Sequence, residues 1–289
     1  MSADTLERTA QPPPVFDIPR PQSVFAKAWA AIWPKALAIG IAVAFWQAVV
    51  WSGWKPEYLL PGPGATFDRL WEAMADPDGR LWGALATTTR RGVFGFLVAL
   101  VLGSLLGIAV SRWRVLRAGI GSMITGLQTM PSVAWFPLAL LLFGLTENAI
   151  TFVIVLGAAP SIANGIISGI DEVPPSLLRA GHMLGARGVD RYRYVVLPAA
   201  LPSYVSGLKQ GWAFSWRSLL AGELLVTVPG MVALGSDMSN ARNNAQADLV
   251  IALMIVILIL GMIVDTIFTS ITNKVRRSRG LTGLDSVPT

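Results

Sequence analysis

The feature that most constrains this chain is a succession of long runs without a single charged side chain. Ala36–Trp54, Gly92–Ser111, Ala118–Thr146 and Asn148–Ile170 contain no Asp, Glu, Lys or Arg, and Leu249–Thr272 contains only Asp265. A helix of ~20 apolar residues crosses a hydrocarbon core of ~30 Å. Ala118–Thr146 is too long for one such crossing and carries Pro131 and Pro137. It is therefore expected as a span over 116–130, an irregular segment, and a short helix ending near Leu145. A further span is expected over 199–225, interrupted by Lys209, Arg217 and Glu223. The expectation is an all-α membrane protein of about six transmembrane helices.

Composition agrees. Charged residues make up 14% of the 289, where soluble domains carry about 25%. There is no cysteine, which excludes disulfides and Cys-ligated metals, and the single histidine, His182, excludes a His-cluster metal centre. The net charge of +6 does not imply nucleic acid, because membrane proteins concentrate Lys and Arg in cytoplasmic loops. Arg112, Arg114 and Arg117 follow the second span, Arg179, Arg187, Arg191 and Arg193 the fourth, and Lys274, Arg276, Arg277 and Arg279 the last. With six spans these segments share one side, so both termini are expected in the cytoplasm. The first loop on the other side fits less well: it holds Lys55, Arg69, Arg80, Arg90 and Arg91.

Residues 1–30 form a polar, proline-rich tail, residues 31–275 the membrane domain, and residues 276–289 a basic and polar tail. After the first span, Leu60-Pro61-Gly62-Pro63-Gly64 marks a turn. Phe67, Leu70, Trp71 and Met74 then recur at helical spacing, as in an interfacial helix. Gly103 and Gly107 form a GxxxG pair, which favours close helix packing.

The segment of about 171–198 is the most informative. Pro174 and Pro175 can open a helix but not continue one, and Gly185 can close it. A second helical stretch, Val189–Val196, ends at Leu197-Pro198. Two short helices around a glycine corner make a knob suited to docking in a groove of another protein; from pattern alone an ordinary connector is an equal reading.

Arg179-Ala180-Gly181, then Gly185, then Val195 and Leu197-Pro198 resemble the "EAA" loop of ATP-binding-cassette (ABC) importer permeases. Arg179 and Gly181 stand where that family often has Glu and Ala. Gln128-Thr129-Met130-Pro131 with Ala134, Pro137-Leu138 and Phe143-Gly144 is similar to the corresponding stretch of the sulfonate, nitrate and taurine subgroup. So are Leu60-Pro61-Gly62-Pro63, the run Thr87–Arg91 leading to Gly95, and Leu197–Pro202 with Gly207-Leu208-Lys209, Ser215-Trp216 and Glu223. The resemblance covers about 35–275.

The resemblance implies a type I importer permease fold with cytoplasmic coupling helices. Arg179, Ala180, Gly181, His182, Gly185, Ala186, Arg187, Leu197 and Pro198 would form the ATPase-coupling loop. Two permease copies, a homodimer, would line the pathway for a small anion of the sulfonate, taurine or nitrate kind. Two ATPase subunits would carry ATP and Mg, an extracytoplasmic binding protein would deliver the substrate, and this chain would bind no cofactor. No Gly-x4-Gly-Lys-Ser/Thr pattern is present, so this chain is not expected to be an enzyme.

Intramembrane polar residues are candidates for the pathway: Gln128 and Pro131 at the broken span, Asn164, Trp216, Arg217 and Glu223. Arg217 and Glu223 are six positions apart, so a direct pair between them would need a helix break or another chain. Interhelical bonding is the competing reading for these residues, and a packing kink for the break at Pro131. An ion-coupled secondary transporter is the alternative from another class, but it would show paired broken segments and an inverted repeat. Bicarbonate or a pyrimidine vitamin precursor is an alternative substrate, and a membrane enzyme lacks any recognisable catalytic set.

Overall fold

Four of the five apolar runs form helices longer than themselves, because the flanking residues propagate a helix once it is nucleated. The computed structural model describes residues 24–278. It contains two separate units, Met1–Trp54 and Lys55–Thr289. The first holds α1 (Val24–Trp51), which continues through Pro34 and starts within the segment expected as tail. The rest of that tail, residues 1–23, and the basic end from Arg279 lie outside the described residues.

In the second unit, α2 (Pro63–Ala75) begins on Pro63, turns Pro63 and Thr66 inward, and leaves Phe67, Trp71 and Met74 exposed. Next come α3 (Arg80–Arg112), α4 (Arg114–Thr129) and, past a 3-10 turn at Ser132–Trp135, α5 (Phe136–Phe143). The chain turns through 107° between α4 and the segment leading into α5, at the expected proline break. Then α6 (Glu147–Asp171), α7 (Pro175–Met183), α8 (Gly188–Arg191), a π-helical turn (Tyr192–Val196), α9 (Leu197–Leu225), α10 (Leu234–Asn243) and α11 (Ala247–Ser278) complete the described chain.

The central helix is α6, packed between α3 and α9. Lipid provides no hydrophobic drive for helices to associate, so backbones must approach closely enough for dispersion forces to act. Gly103 and Gly107 achieve this on α3: a Cβ on either would fall 2.6 and 2.8 Å from the α6 carbonyls of Ala159 and Ala163. On the other side, a Cβ on Gly165 would lie 2.8 Å from the Gly207 Cα of α9. These pairings make α3 and α6 parallel and α6 and α9 antiparallel. Phe136, Ile150, Val153, Leu219 and Val226 fill one core between α5, α6 and α9, and Phe96, Trp212 and Ile162 fill another.

Among the described residues four helices are long and apolar enough to cross a membrane, and the bent α4–α5 pair, taken as one span, makes a fifth. The remaining expected span, α9, is 29 residues long, but its composition falls short because Lys209, Arg217, Glu223 and a series of serines and glycines dilute it. A helix shielded by α6 and α11 need not be apolar all round.

Candidate functional site

The knob is built by its backbone. Helix α7 ends in a Schellman cap, in which the Ala186 N–H donates to the Gly181 carbonyl and the Gly185 N–H to that of His182, both at 3.0 Å. Gly185 sits at φ +86°, a conformation that a side chain rarely adopts. Gly181 is buried against the π-helical turn: a Cβ there would lie 2.7 Å from Val195 Cγ2. That contact accounts for glycine where the resembled pattern has alanine. The corner turns apolar residues outward, with Met183 82%, Leu184 88% and Val189 80% exposed. Arg179, His182 and Arg187 are exposed beside them, Ala180, Ala186 and Pro198 are half-buried, and Leu197 is exposed at the start of α9. Exposed Leu and Met on a tightly closed corner, ringed by cations, form a surface suited to a protein partner.

Several helix ends converge near the knob. Arg117 of α4 donates to Asp171 at 2.6 Å, and Ser203 of α9 to Glu172 at 3.0 Å, so the starts of α4 and α9 and the end of α6 share one end of the bundle. Arg276 lines the groove that holds Glu172 and Ser203, which puts the end of α11 there too.

A charged network lies at the opposite end. The Glu223 carboxylate is fully buried and accepts from Thr88 Oγ1 at 2.8 Å, an Arg91 guanidinium N–H at 3.1 Å and the Gly235 backbone N–H at 3.1 Å. Arg91, 7% exposed, also donates to Glu147 at 3.1 Å. The network ties α3, α6 and α9 to the amino terminus of α10, where a carboxylate is favoured by the helix dipole. Glu223 therefore pairs with another helix and not with Arg217, and it is sealed away from any open face. Three more of the awkward cations of the first loop are matched as well. Arg80 donates to Asp237 at 2.7 Å, Arg69 lies 2.9 Å from Glu72, and Arg90 lies 3.7 Å from Glu147. Arg91 was not among the expected site residues. The available signal was that Arg91, Glu147 and Glu223 fall at the same end of three alternating spans.

The other candidates separate. Trp216 packs inward, stacked on Trp212 with ring centroids 6.3 Å apart, and its Nε1 lies beside Gly261 of α11. Gln128 donates to Ser161 at 3.3 Å, anchoring the end of α4 on α6, and Pro131 is exposed at the bend. Asn164 opens into a groove of about 420 Å³ between α6 and α9 with Ser168, Ser203, Ser206 and Gln210. Arg217 is exposed, its guanidinium carbon 5.9 Å from the Phe214 ring centroid. Among the described residues no group of His, Cys, Asp or Glu could hold a metal ion.

This multi-pass bundle with glycine-tight crossings has the type I ABC importer permease fold. The comparisons agree and go further: residues 99–277 match the model of the binding-protein-dependent transport system inner membrane component, and the chain belongs to that family. It is 32% identical over 236 residues to the putative aliphatic sulfonates transport permease protein SsuC of Escherichia coli, covering 80% of this chain and 86% of that one. It is 36% identical over 176 residues to a putative ABC transporter permease of Methanocaldococcus jannaschii, covering 61% of this chain and 65% of that one. A solved chain of the MetNI methionine ABC transporter, in an inward-facing conformation, shares the fold with a TM-score of 0.52 and 22% identity, over 72% of this chain and 98% of that one. Family membership implies an ATPase and a binding protein as partners.

Proposed function

We propose that this chain is the pathway-forming permease of an ATP-driven importer for a small oxyanion, a sulfonate first among them. Its knob docks in an ATPase subunit on the cytoplasmic side. The observation that carries the reading is the Schellman-capped corner at Gly185 with Met183, Leu184 and Val189 turned outward. An apolar cluster fixed on a rigid corner transmits displacement, whereas the same residues on a loose loop would not. Both termini and the Arg-rich helix ends face the cytoplasm under this reading, in keeping with the positive-inside rule.

Two copies of the chain pair across the uncovered polar face of α9 and enclose the passage. A motor subunit grips each knob and holds its ATP and Mg. Closure of the motor pair favours one tilt of the bundles, and reopening favours the other; ATP shifts the equilibrium only through its preference for the closed motor. The sulfonate class is supported by the SsuC relative's name and by the subgroup resemblance of Gln128–Gly144.

The test is co-purification of the importer in detergent. Leu184→Asp puts a charge on a side chain that is 88% exposed, so the fold is untouched while the docking surface is spoiled. The variant is expected to insert at wild-type levels and to lose the ATPase subunit. Gly185→Val should do the same by opening the corner. Retention of a full complement of ATPase by Leu184→Asp would refute the docking role.

A further inference from the structure

At membrane depth, among the described residues, the charged groups of the long helices in the second unit are matched, with one exception. Arg91 is held by Glu223 and Glu147. Lys209 lies 3.3 Å from Asp265 and donates to Thr269 at 2.7 Å. Arg217 has only the Phe214 ring among the described residues. Its depth is fixed by the adjacent Ser218, whose hydroxyl meets Gly157 of α6. Gly157 lies about 15 Å along α6 from Glu147, close to the middle of a hydrocarbon core of ~30 Å. A cation there is costly against lipid and is too deep to snorkel to an interface.

The face around it is polar as well. Ser206, Gln210 and Arg217 recur at helical spacing on α9, and all are exposed. Asn164 and Ser168 of α6 open onto the same groove as Ser206 and Gln210. Ala213 and Phe214 interrupt this face for one turn, but exposed polar groups within a span must face water or protein, not acyl chains. Sulfonates and nitrate share one chemical handle, an anionic centre surrounded by oxygens. A guanidinium meets that handle with two parallel N–H donors, where an ammonium offers a single point charge.

Resting on the permease reading, we infer that Arg217 is the anion-recognising side chain of the passage, with Gln210 and Ser206 continuing its wall toward the Arg-rich end. Glu223 takes no part in selection, because it is fully buried and held by Arg91, Thr88 and Gly235.

The experiment uses the whole importer, with its ATPase and binding protein, in liposomes, and labelled ethanesulfonate and nitrate as probes. Wild type is expected to take up at least one of them. Arg217→Gln is expected to lower that uptake at least tenfold and Arg217→Lys by less, with subunit content and stimulated ATP hydrolysis preserved. Should Arg217→Gln fail to assemble, Gln210→Glu supplies the same test: a carboxylate on the stripe repels the anion, and uptake falls comparably in an assembled complex. Wild-type uptake by an assembled Arg217→Gln or Gln210→Glu importer overturns the inference alone, as does a wild type that moves only neutral or cationic solutes. A wild-type chain that recruits no ATPase overturns the permease reading beneath it as well.

Discussion

At the scale of single residues, the Arg91–Glu223 pair makes the firmest claim. Both charges have left water, and the loss is offset only because each has several partners. Removing one member leaves a buried charge unmatched, at a cost of about 3–5 kcal/mol. Arg91→Ala and Glu223→Ala are each expected to lower the melting temperature of the purified protein sharply. The double variant is expected to cost clearly less than the sum, since the second change removes a charge that the first had stranded. Strictly additive losses in a double-mutant cycle would rule the pairing out. The sequence marked Glu223 as special but not its partner. Arg91 stands one residue before an uncharged run and reads as a loop cation. Only the backward extension of α3 to Arg80 places it inside a helix, and helix ends are set by tertiary contacts that no local pattern carries.

At the scale of elements, the crossing of α6 and α9 holds the bundle together. It depends on two glycines, Gly165 and Gly207, meeting backbone to backbone. Gly165→Val has no space to occupy, so the helices must separate along their length. The expected result is poor yield and a melting temperature lower by many degrees. Gly83→Ala on α3, which would meet nothing within 4 Å, is expected to be neutral or to stabilise by about 0.5–1 kcal/mol through helix propensity alone. Equal behaviour of the two variants would deny the crossing its role. The helices of the uncharged runs were legible from hydropathy, and so was the break at Pro131. The polar span α9 was legible from its resemblance and from its length between charged loops, but hydropathy alone misses it. Its stabilising contacts are with α6 and α11, and a window of sequence contains no information about a neighbouring helix.

At the scale of the whole molecule, charge is distributed in a way that hydropathy cannot express. Cations at the knob end are largely unmatched and exposed, among them Arg179, Arg187 and Arg191. At the other end Arg80, Arg90, Arg91 and Arg69 are tied to Asp237, Glu147, Glu223 and Glu72. The Arg-rich segments at the knob end predict a knob in the cytoplasm, the Lys and Arg of the first loop count against it, and labelling decides between them. The chain has no cysteine, so orientation can be read without background. Asp190→Cys at the knob and Asn244→Cys after α10 occupy opposite ends, and both positions are exposed. In intact cells a membrane-impermeant maleimide is expected to label Asn244→Cys at once, and Asp190→Cys only after the membrane is opened. With the ATPase present, labelling of Asp190→Cys should slow further, because the knob is then covered. Labelling of Asp190→Cys from outside would invert the molecule, place the knob beyond the reach of any ATP-driven partner, and remove the basis for coupling altogether.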